Sequence, residues 1–384
     1  KKMNFSKTNK KNTTCYCVFI VYVEFAVSKQ IYRNFTFIVS KRANMKILIT
    51  GITGRVGANL ARNFKEAGFE IKGLICNDDS QKEKLSGLDI EFVEGDLTNI
   101  EDVRTAVYGV DIIFHLGAAF QAGGPFSSEQ YFDINVKGTF NILESSCESK
   151  IPIKHVIITS TDATMSKYPE KGILEPISEN SLPLSTTDWY GYSKILCEHL
   201  ANRYYRHKNL NVTVLRFANV WGAGEVLDFN QFQLKTFVNI FKERNDEIGV
   251  EVYGKLKKEF SSGHRLIVAK DMDGRSWKKH SVEIRDIIHA YKCIINKKKS
   301  FGNIYQIASK EPFTWDELVP YISKRTGDSY TTVELPMNPT FYEYDLSSAY
   351  NDFGYKPTLS VFQMVDDSIK FRNGTFNEIV PTTI

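Results

Sequence analysis

A glycine-punctuated turn between an apolar run and an amphipathic one constrains this 384-residue chain most. Lys46-Ile47-Leu48-Ile49-Thr50 reads as a buried strand, Gly51-Ile52-Thr53-Gly54-Arg55-Val56-Gly57 as the turn, and residues 58–64 as part of a helix. Strand, glycine turn and helix bring backbone N–H groups and the positive end of a helix to one point, the arrangement that holds a pyrophosphate. Gly51 permits the sharp turn, Gly54 admits a ligand close to the backbone, and Gly57 lets helix pack on strand. The spacing is GxxGxxG rather than GxGxxG. A glycine triplet alone is equally a plain turn, so the surrounding pattern has to decide.

That pattern alternates. Short apolar runs predict strands over 46–50, 70–75, 90–94, 110–116, 155–159 and 212–217, and helical spacing fills 56–67, 100–108, 133–149 and 190–207. Strands alternating with helices imply a parallel sheet covered on both faces, an α/β fold. After Gly222 the rhythm changes. A helix is expected over 225–245, hairpins over 250–281 around Asp271-Met272-Asp273-Gly274, a helix over 286–296 and a strand over 303–308. A last helix is expected over 314–326, with Thr314 as N-cap and Glu317 at its third position. Residues 45–222 thus read as one nucleotide-binding domain. Residues 223–384 read mainly as a smaller substrate-binding lobe, with some segments returning to the first domain.

Net charge is +4, and basic runs such as Lys297-Lys298-Lys299 are short, which argues against a nucleic-acid partner. Six scattered cysteines, Cys15, Cys17, Cys76, Cys147, Cys197 and Cys293, lack zinc-ribbon spacing; no metal site is expected, and free thiols suit a reducing, cytoplasmic compartment. Residues 1–44 differ from the rest. A basic start, an apolar 15–27 stretch and Ala26-Val27-Ser28 imitate a signal peptide, but the stretch is too short to span a bilayer. The favoured reading is a disordered or non-native extension before a start at Met45.

Tyr190-Gly191-Tyr192-Ser193-Lys194 is the second informative segment. Positions i and i+4 share a helix face, so a phenol and an ammonium would meet one spot. The ammonium would lower the phenol's pKa and let it take a proton from an alcohol while hydride leaves the carbon. A plain surface pair on an amphipathic helix is the alternative. Upstream, His155-Val156-Ile157-Ile158-Thr159-Ser160-Thr161-Asp162 runs an apolar strand into hydroxyl side chains, which either hold a substrate oxygen or simply cap the strand end.

Together these segments resemble the extended short-chain dehydrogenase/reductase superfamily, the NAD-dependent epimerase/dehydratase family with its nucleotide-sugar epimerases in particular. The likeness extends to Gly95-Asp96-Leu97, His115-Leu116-Gly117-Ala118-Ala119, Asn135-Val136-Lys137-Gly138-Thr139 and Leu215-Arg216-Phe217-Ala218-Asn219-Val220-Trp221-Gly222. The resemblance implies a Rossmann-type doubly wound sheet. It implies that Gly51, Thr53, Gly54, Arg55, Val56 and Gly57 hold the pyrophosphate of NAD, with NADP also open. Asp96 and Leu97 would lie by the adenine, Leu116, Gly117, Ala118, Ala119, Asn135 and Thr159 along the cofactor, and Asp78 near a ribose. Tyr190, Lys194 and Thr161 would be catalytic, Lys194 also binding the nicotinamide ribose; Ser160 replaces Thr161 if the register slips by one. Thr161, Asp162, Asn219 and Arg285 would face substrate, with Arg285 on a diphosphate or else paired with a carboxylate.

Two departures matter. The second expected strand ends in Ile75-Cys76-Asn77-Asp78, without the acid that usually binds a ribose 2′-hydroxyl, and only Arg55 could meet a 2′-phosphate. Thr161 is followed by Asp162-Ala163 where family dehydratases carry Asp-Glu, which argues against loss of water. The expected activity is C4 epimerisation of a nucleotide-activated sugar through a keto intermediate, of the UDP-glucose 4-epimerase type. The alternatives are a reductase or dehydrogenase of the dihydroflavonol or hydroxysteroid type, and a non-catalytic cofactor-binding regulator. A homodimer joined through the helices around 135–147 and 190–205, with no membrane partner, is expected by the same resemblance.

Overall fold

A computed structural model describes residues 45–120 and 124–383; the expectations for residues 1–44 lie outside the described residues. Seven strands build the main sheet: β1 (Lys46–Thr50), β2 (Glu70–Ile75), β3 (Ile90–Glu94), β4 (Ile112–His115), β5 (His155–Thr161), β6 (Val212–Phe217) and β7 (Ile304–Ile307). Their spatial order is β7-β6-β5-β4-β1-β2-β3, and every pairing is parallel. The continuous apolar runs have a direct cause. Ile47 and Ile49 of β1 point into one core and Leu48 into another; Ile157 of β5 likewise opposes Val156 and Ile158. Both faces are covered, so no polar alternation remains.

Helices α1 (Arg55–Glu66), α2 (Ile100–Val107), α3 (Gly138–Glu148) and α4 (Trp189–Lys208) flank the sheet. Thr50 of β1 lies opposite Leu74 on one side and His115 on the other. From β1 the chain order runs away in both directions, which opens a crevice at the carboxyl ends of β1 and β4. The fourth strand is shorter than expected and β5 runs on to Thr161. The expected helix over 133–149 is interrupted: a turn at Ser128–Tyr131 leads into a π-helical segment, Phe132–Lys137, before α3.

The later half departs further. Only α5 (Leu234–Lys242) is α-helical within 225–245, preceded by two short 3₁₀ turns. The hairpin reading over 250–281 fails at its start, where α6 (Glu247–Ser261) lies. Asp246 caps that helix, accepting from the Gly249 N–H at 2.9 Å. Val252, Tyr253, Leu256 and Phe260 recur at helical spacing on a third core, away from the sheet. The Asp271–Gly274 turn does form, joining Leu266–Lys270 back to Trp277 through the Trp277 N–H to the Ala269 carbonyl. Then follow Lys278–Lys279, Ser281–Glu283, α7 (Ile284–Ile294) and α8 (Trp315–Thr326). Thr314 caps α8 by position, but its hydroxyl donates to the Glu317 carboxylate at 2.7 Å instead of accepting a backbone N–H. Trp277, Trp315, Phe232 and Phe237 centre a core separate from those on the sheet. Among the described residues no helix is long and apolar enough to cross a membrane.

Candidate active site

The glycine turn is built so that side chains cannot enter it. Gly51 has φ +65°, and a Cβ there would stand 2.8 Å from the Gly117 nitrogen. At Gly57 a Cβ would stand 2.1 Å from the Gly51 carbonyl oxygen. The turn and the first turn of α1 therefore lie backbone on backbone. Gly54 occupies the N-cap of α1 with no side-chain capping bond, and the first turn carries no acid. An uncapped, positively polarised helix end beside a glycine cradle fits a pyrophosphate.

Behind the turn, donors and acceptors are accounted for. The Leu116 and Gly117 N–H groups donate to the Thr50 hydroxyl oxygen at 3.1 and 2.9 Å. That hydroxyl then donates to His115 Nδ1 at 2.8 Å, leaving Nε2 to donate to Thr139 at 3.0 Å. Burial, with the nearby Lys194 charge, pushes His115 down to about 3, so the ring is neutral, as this bonding requires. Thr139 passes its proton bond to Cys197, and Cys197 to the Asn135 carbonyl. The Asn135 amide clamps Ala119 through both its N–H and its carbonyl and reaches Ser193 on α4 at 2.8 Å. The π-helical segment that carries Asn135 thus ties the crevice floor to the helix bearing Tyr190.

At the end of β5 the register places Thr161, not Ser160, toward Tyr190. The Ser160 hydroxyl turns inward and donates to Glu198 at 2.6 Å, and Glu198 is held by Arg216 through two bonds of 2.7 and 2.8 Å. The Tyr190 ring is half-buried. Burial of its hydroxyl end pushes the phenol up to about 12; the Thr161 hydroxyl pulls it down, while Asp162 and Asp188 push it further up. The expected lowering by Lys194 is therefore not what the fold shows. The Lys194 charge acts instead on His115 and Cys197. Lys194 is buried, and its ammonium has no hydrogen-bond or carboxylate partner among the described residues.

Other expected residues fall in different places. Arg55 is drawn off the turn by Glu225 at 3.0 Å and by Thr382 and the Val220 carbonyl at 3.3 Å, so it is not presented to a 2′-phosphate. Asp78 is exposed with φ 58°; its neighbour Asp79 is the acid linked to the turn, accepting from Thr53 at 2.6 Å. Asp96 accepts from the Thr98 N–H, and Leu97 packs beside Gly117 and Gly138. The Thr159 hydroxyl faces Tyr291 at 2.9 Å rather than the crevice. Asn219 pairs with Ser281 across short strands, and its side chain makes no hydrogen bond among the described residues. Val56 and Ala118 flank the turn as partly buried apolar groups.

Arg285 takes the second of its two expected forms. Its guanidinium is enclosed by Glu283, by Asp367 at 2.9 Å and by Glu378 at 3.2 Å. Burial alone would lower its pKa, but the Glu283 and Asp367 bonds outweigh that and hold it above the ordinary value. A guanidinium so satisfied has no fork left for a diphosphate. Asp162, expected to face substrate, is engaged by the fold, and residues the sequence did not single out, Lys167, Tyr344 and Tyr131, enter the neighbourhood. Asp162, nearly buried, accepts from Lys167 and from the Tyr344 hydroxyl, each at 2.7 Å. Tyr131 stands 6.3 Å from Tyr190, ring to ring, with Phe126 beyond it. No group of three or more potential metal ligands occurs among the described residues.

Comparison with known proteins agrees with this fold. A 3-beta-hydroxysteroid dehydrogenase of Mycolicibacterium neoaurum is 29% identical over 51% of the chain and 52% of its own length. A UDP-glucose 4-epimerase of Mycoplasma genitalium is 28% identical over 50% of the chain and 57% of its own length. The chain thus spans about half the length of these curated relatives. UDP-glucuronate 4-epimerase 1 of Arabidopsis thaliana is 25% identical over 83% of the chain and 75% of that protein. Among solved structures, a short-chain dehydrogenase/reductase superfamily protein of Agrobacterium tumefaciens with bound NAD superposes with TM-score 0.72 at 23% identity, over 86% of the chain and 97% of the other. A model of the NAD dependent epimerase/dehydratase family matches residues 47–308, and the chain belongs to that family.

Proposed function

We propose that the chain is an NAD-dependent epimerase of a nucleotide-activated sugar. The observation that carries this reading is the meeting of Tyr190 with Thr161 at the carboxyl end of β5, beside an uncapped glycine turn. The turn and the α1 N-terminus take the pyrophosphate, and the Lys194 ammonium, without a partner among the described residues, takes ribose hydroxyls. With its pKa pushed up to about 12, Tyr190 keeps its proton at neutral pH and needs added positive charge to act as a base. Bound there, oxidised NAD supplies a hydride acceptor and a positive ring charge that favours the phenolate. Tyr190 then removes the sugar hydroxyl proton while Thr161 orients that oxygen. After the sugar turns over in the pocket, Tyr190 returns the proton. The engagement of Arg55 by Glu225 supports NAD over NADP.

A reductase of a ketone or alcohol is the second reading. The aromatic wall of Phe126, Tyr131 and Tyr190 favours it, because such a wall suits a flat apolar substrate as well as a sugar. The exposed rings of Phe140, Tyr192 and Tyr205 on α3 and α4 support a homodimer. The test is to incubate the NAD-loaded protein with UDP-glucose and UDP-glucuronate and follow both product and absorbance of reduced cofactor. An epimer formed with no net absorbance change agrees with the proposal. Net reduction or oxidation moves the chain to the second reading, and no turnover of either sugar removes the first.

A further inference from the structure

Beside Tyr190, and unused by the chemistry above, lies a second buried charge cluster. Asp162 follows Thr161 directly and acts on the Tyr190 phenol. Its carboxylate holds Lys167, itself almost fully buried. Close by is Lys279, 4% exposed, whose ammonium rests 5.1 Å from the Phe229 ring and 5.8 Å from the Tyr342 ring. The Lys167 ammonium lies 5.4 Å from that same Tyr342 ring. Two ammonium groups therefore flank Tyr342, against the single carboxylate of Asp162 and the buried Tyr168 phenol, whose pKa the Lys167 and Lys279 charges hold down against the effect of burial. Glu343 does not redress the balance, being paired with Lys278 at 3.0 Å. Among the described residues no carboxylate bonds Lys279.

A buried cation without a counter-charge is unusual, because proteins pair or hydrogen-bond what they desolvate. Cation–ring contacts offset part of that cost, but they do not supply an acceptor. A second polar group is left open in the same place. The Tyr342 hydroxyl is fully buried; the Tyr168 phenol interacts with it, but it makes no hydrogen bond of good geometry among the described residues. Burial lowers the Lys279 pKa; Tyr168 pulls it back up, the Lys167 charge lowers it further and Asp162 raises it. An oxyanion seated between the lysines would satisfy both open groups. The cluster is anchored on the residue after Thr161, so the anion belongs at the reacting end of the substrate.

We propose that Lys279, with Lys167 and the Tyr342 hydroxyl, forms a subsite for a carboxylate carried by the sugar, making the preferred substrate an acidic nucleotide sugar. This rests on the nucleotide-sugar reading for the nucleotide part alone; the carboxylate site stands on the cluster itself. The test uses the NAD-loaded protein, with UDP-glucuronate, UDP-glucose and UDP titrated by calorimetry. UDP-glucuronate is expected to bind at least about tenfold tighter than UDP-glucose, an advantage worth about 1.4 kcal/mol. Lys279→Met abolishes that advantage, and Lys279→Arg, which keeps the charge, retains most of it. An equal loss of affinity for all three ligands in Lys279→Met would assign the cation to the diphosphate and overturn the carboxylate site. Unchanged affinities would reduce the cluster to packing and overturn it equally.

A second readout does not need a nucleotide. Acylation of Lys279 by acetic anhydride, read by peptide mass spectrometry, should be slowed by free D-glucuronate and not by glucose. If the UDP-sugars all fail to bind while glucuronate still protects Lys279, the nucleotide-sugar reading falls and the subsite survives. If glucuronate and glucose protect alike, or neither does, the subsite falls. Should Lys279→Met fail to fold, Lys167→Gln is titrated in its place with the same expected order.

Discussion

At the glycine turn the chain leaves its donors open, whereas around Arg285 its own carboxylates engage all three guanidinium nitrogens. The α1 N-terminus has no capping side chain and no acid in its first turn, and Lys194 stands buried with no partner among the described residues. Local acids separate the two outcomes. Glu283 lies two residues before Arg285, and Asp367 and Glu378 complete the enclosure. A charged group surrounded by its own carboxylates works for the fold, while one left unmatched in a buried place is available to a ligand. Lys279 falls with Lys194 in this respect, and Arg55 with Arg285.

Substitutions that force the two regions into each other's condition test this contrast. The largest effect is expected from Gly57→Val. Its Cβ would press on the Gly51 carbonyl at 2.1 Å, where only backbone could give way, so a loss of at least about 4 kcal/mol and of all NAD binding should follow. Chemical denaturation of the purified variant measures it. Arg285→Met comes next. It strands the nearly buried Glu283 and leaves Asp367 with Lys370 alone, and should cost about 3 kcal/mol in denaturation while leaving NAD affinity unchanged. A folded, equally stable variant that bound substrate poorly would return Arg285 to the site.

Acid sharpens the comparison from the core side. Burial pushes His115 and His155 down to about 3 and His280 down to about 4, against an unfolded value near 6.5. Below that unfolded value the denatured chain binds protons that the folded chain refuses, so stability is lost as pH falls toward 4. Each histidine contributes a slope of at most about 1.4 kcal/mol per pH unit. Melting temperature should therefore drop steeply between pH 6.5 and 4, and His155→Gln should flatten the slope by about a third. The smallest effect is expected at Asp286, which burial pushes up to about 6, with one carboxylate oxygen unpartnered among the described residues. Its proton is held more tightly folded than unfolded, so its contribution is favourable in acid and lost as pH rises through 6. Asp286→Asn should add about 1–2 kcal/mol at pH 8 and nothing at pH 4, read by denaturation at both values.

Legibility follows the same physical line. Strands β1 and β6 fall where their apolar runs end, because a sheet covered on both faces leaves a nearly unbroken signature. The glycine turn was equally readable, since its constraint is local. The stretch opening at Val250 misled: Val250, Val252 and Tyr253 favour strands one by one, and only their spacing with Leu256 and Phe260 reveals the helix. Asp162 could be named from its neighbours, but not its partner Tyr344, 182 residues on. Lys167 and Lys279 sit in no local pattern, and their meaning comes from what the folded chain fails to place beside them. Thr159 and Thr161 differ by two residues on one strand, yet one bonds the core ring of Tyr291 and the other meets Tyr190.

The sharpest check is a calorimetric titration of NAD into three proteins: the unaltered chain, Lys194→Met and Arg285→Met, each with its melting temperature recorded. We expect Lys194→Met to melt like the unaltered chain and bind NAD at least about tenfold more weakly, while Arg285→Met melts early and binds NAD normally. Undiminished NAD affinity in Lys194→Met, or no NAD binding by the unaltered chain, would contradict the assignment of the open donors to a dinucleotide.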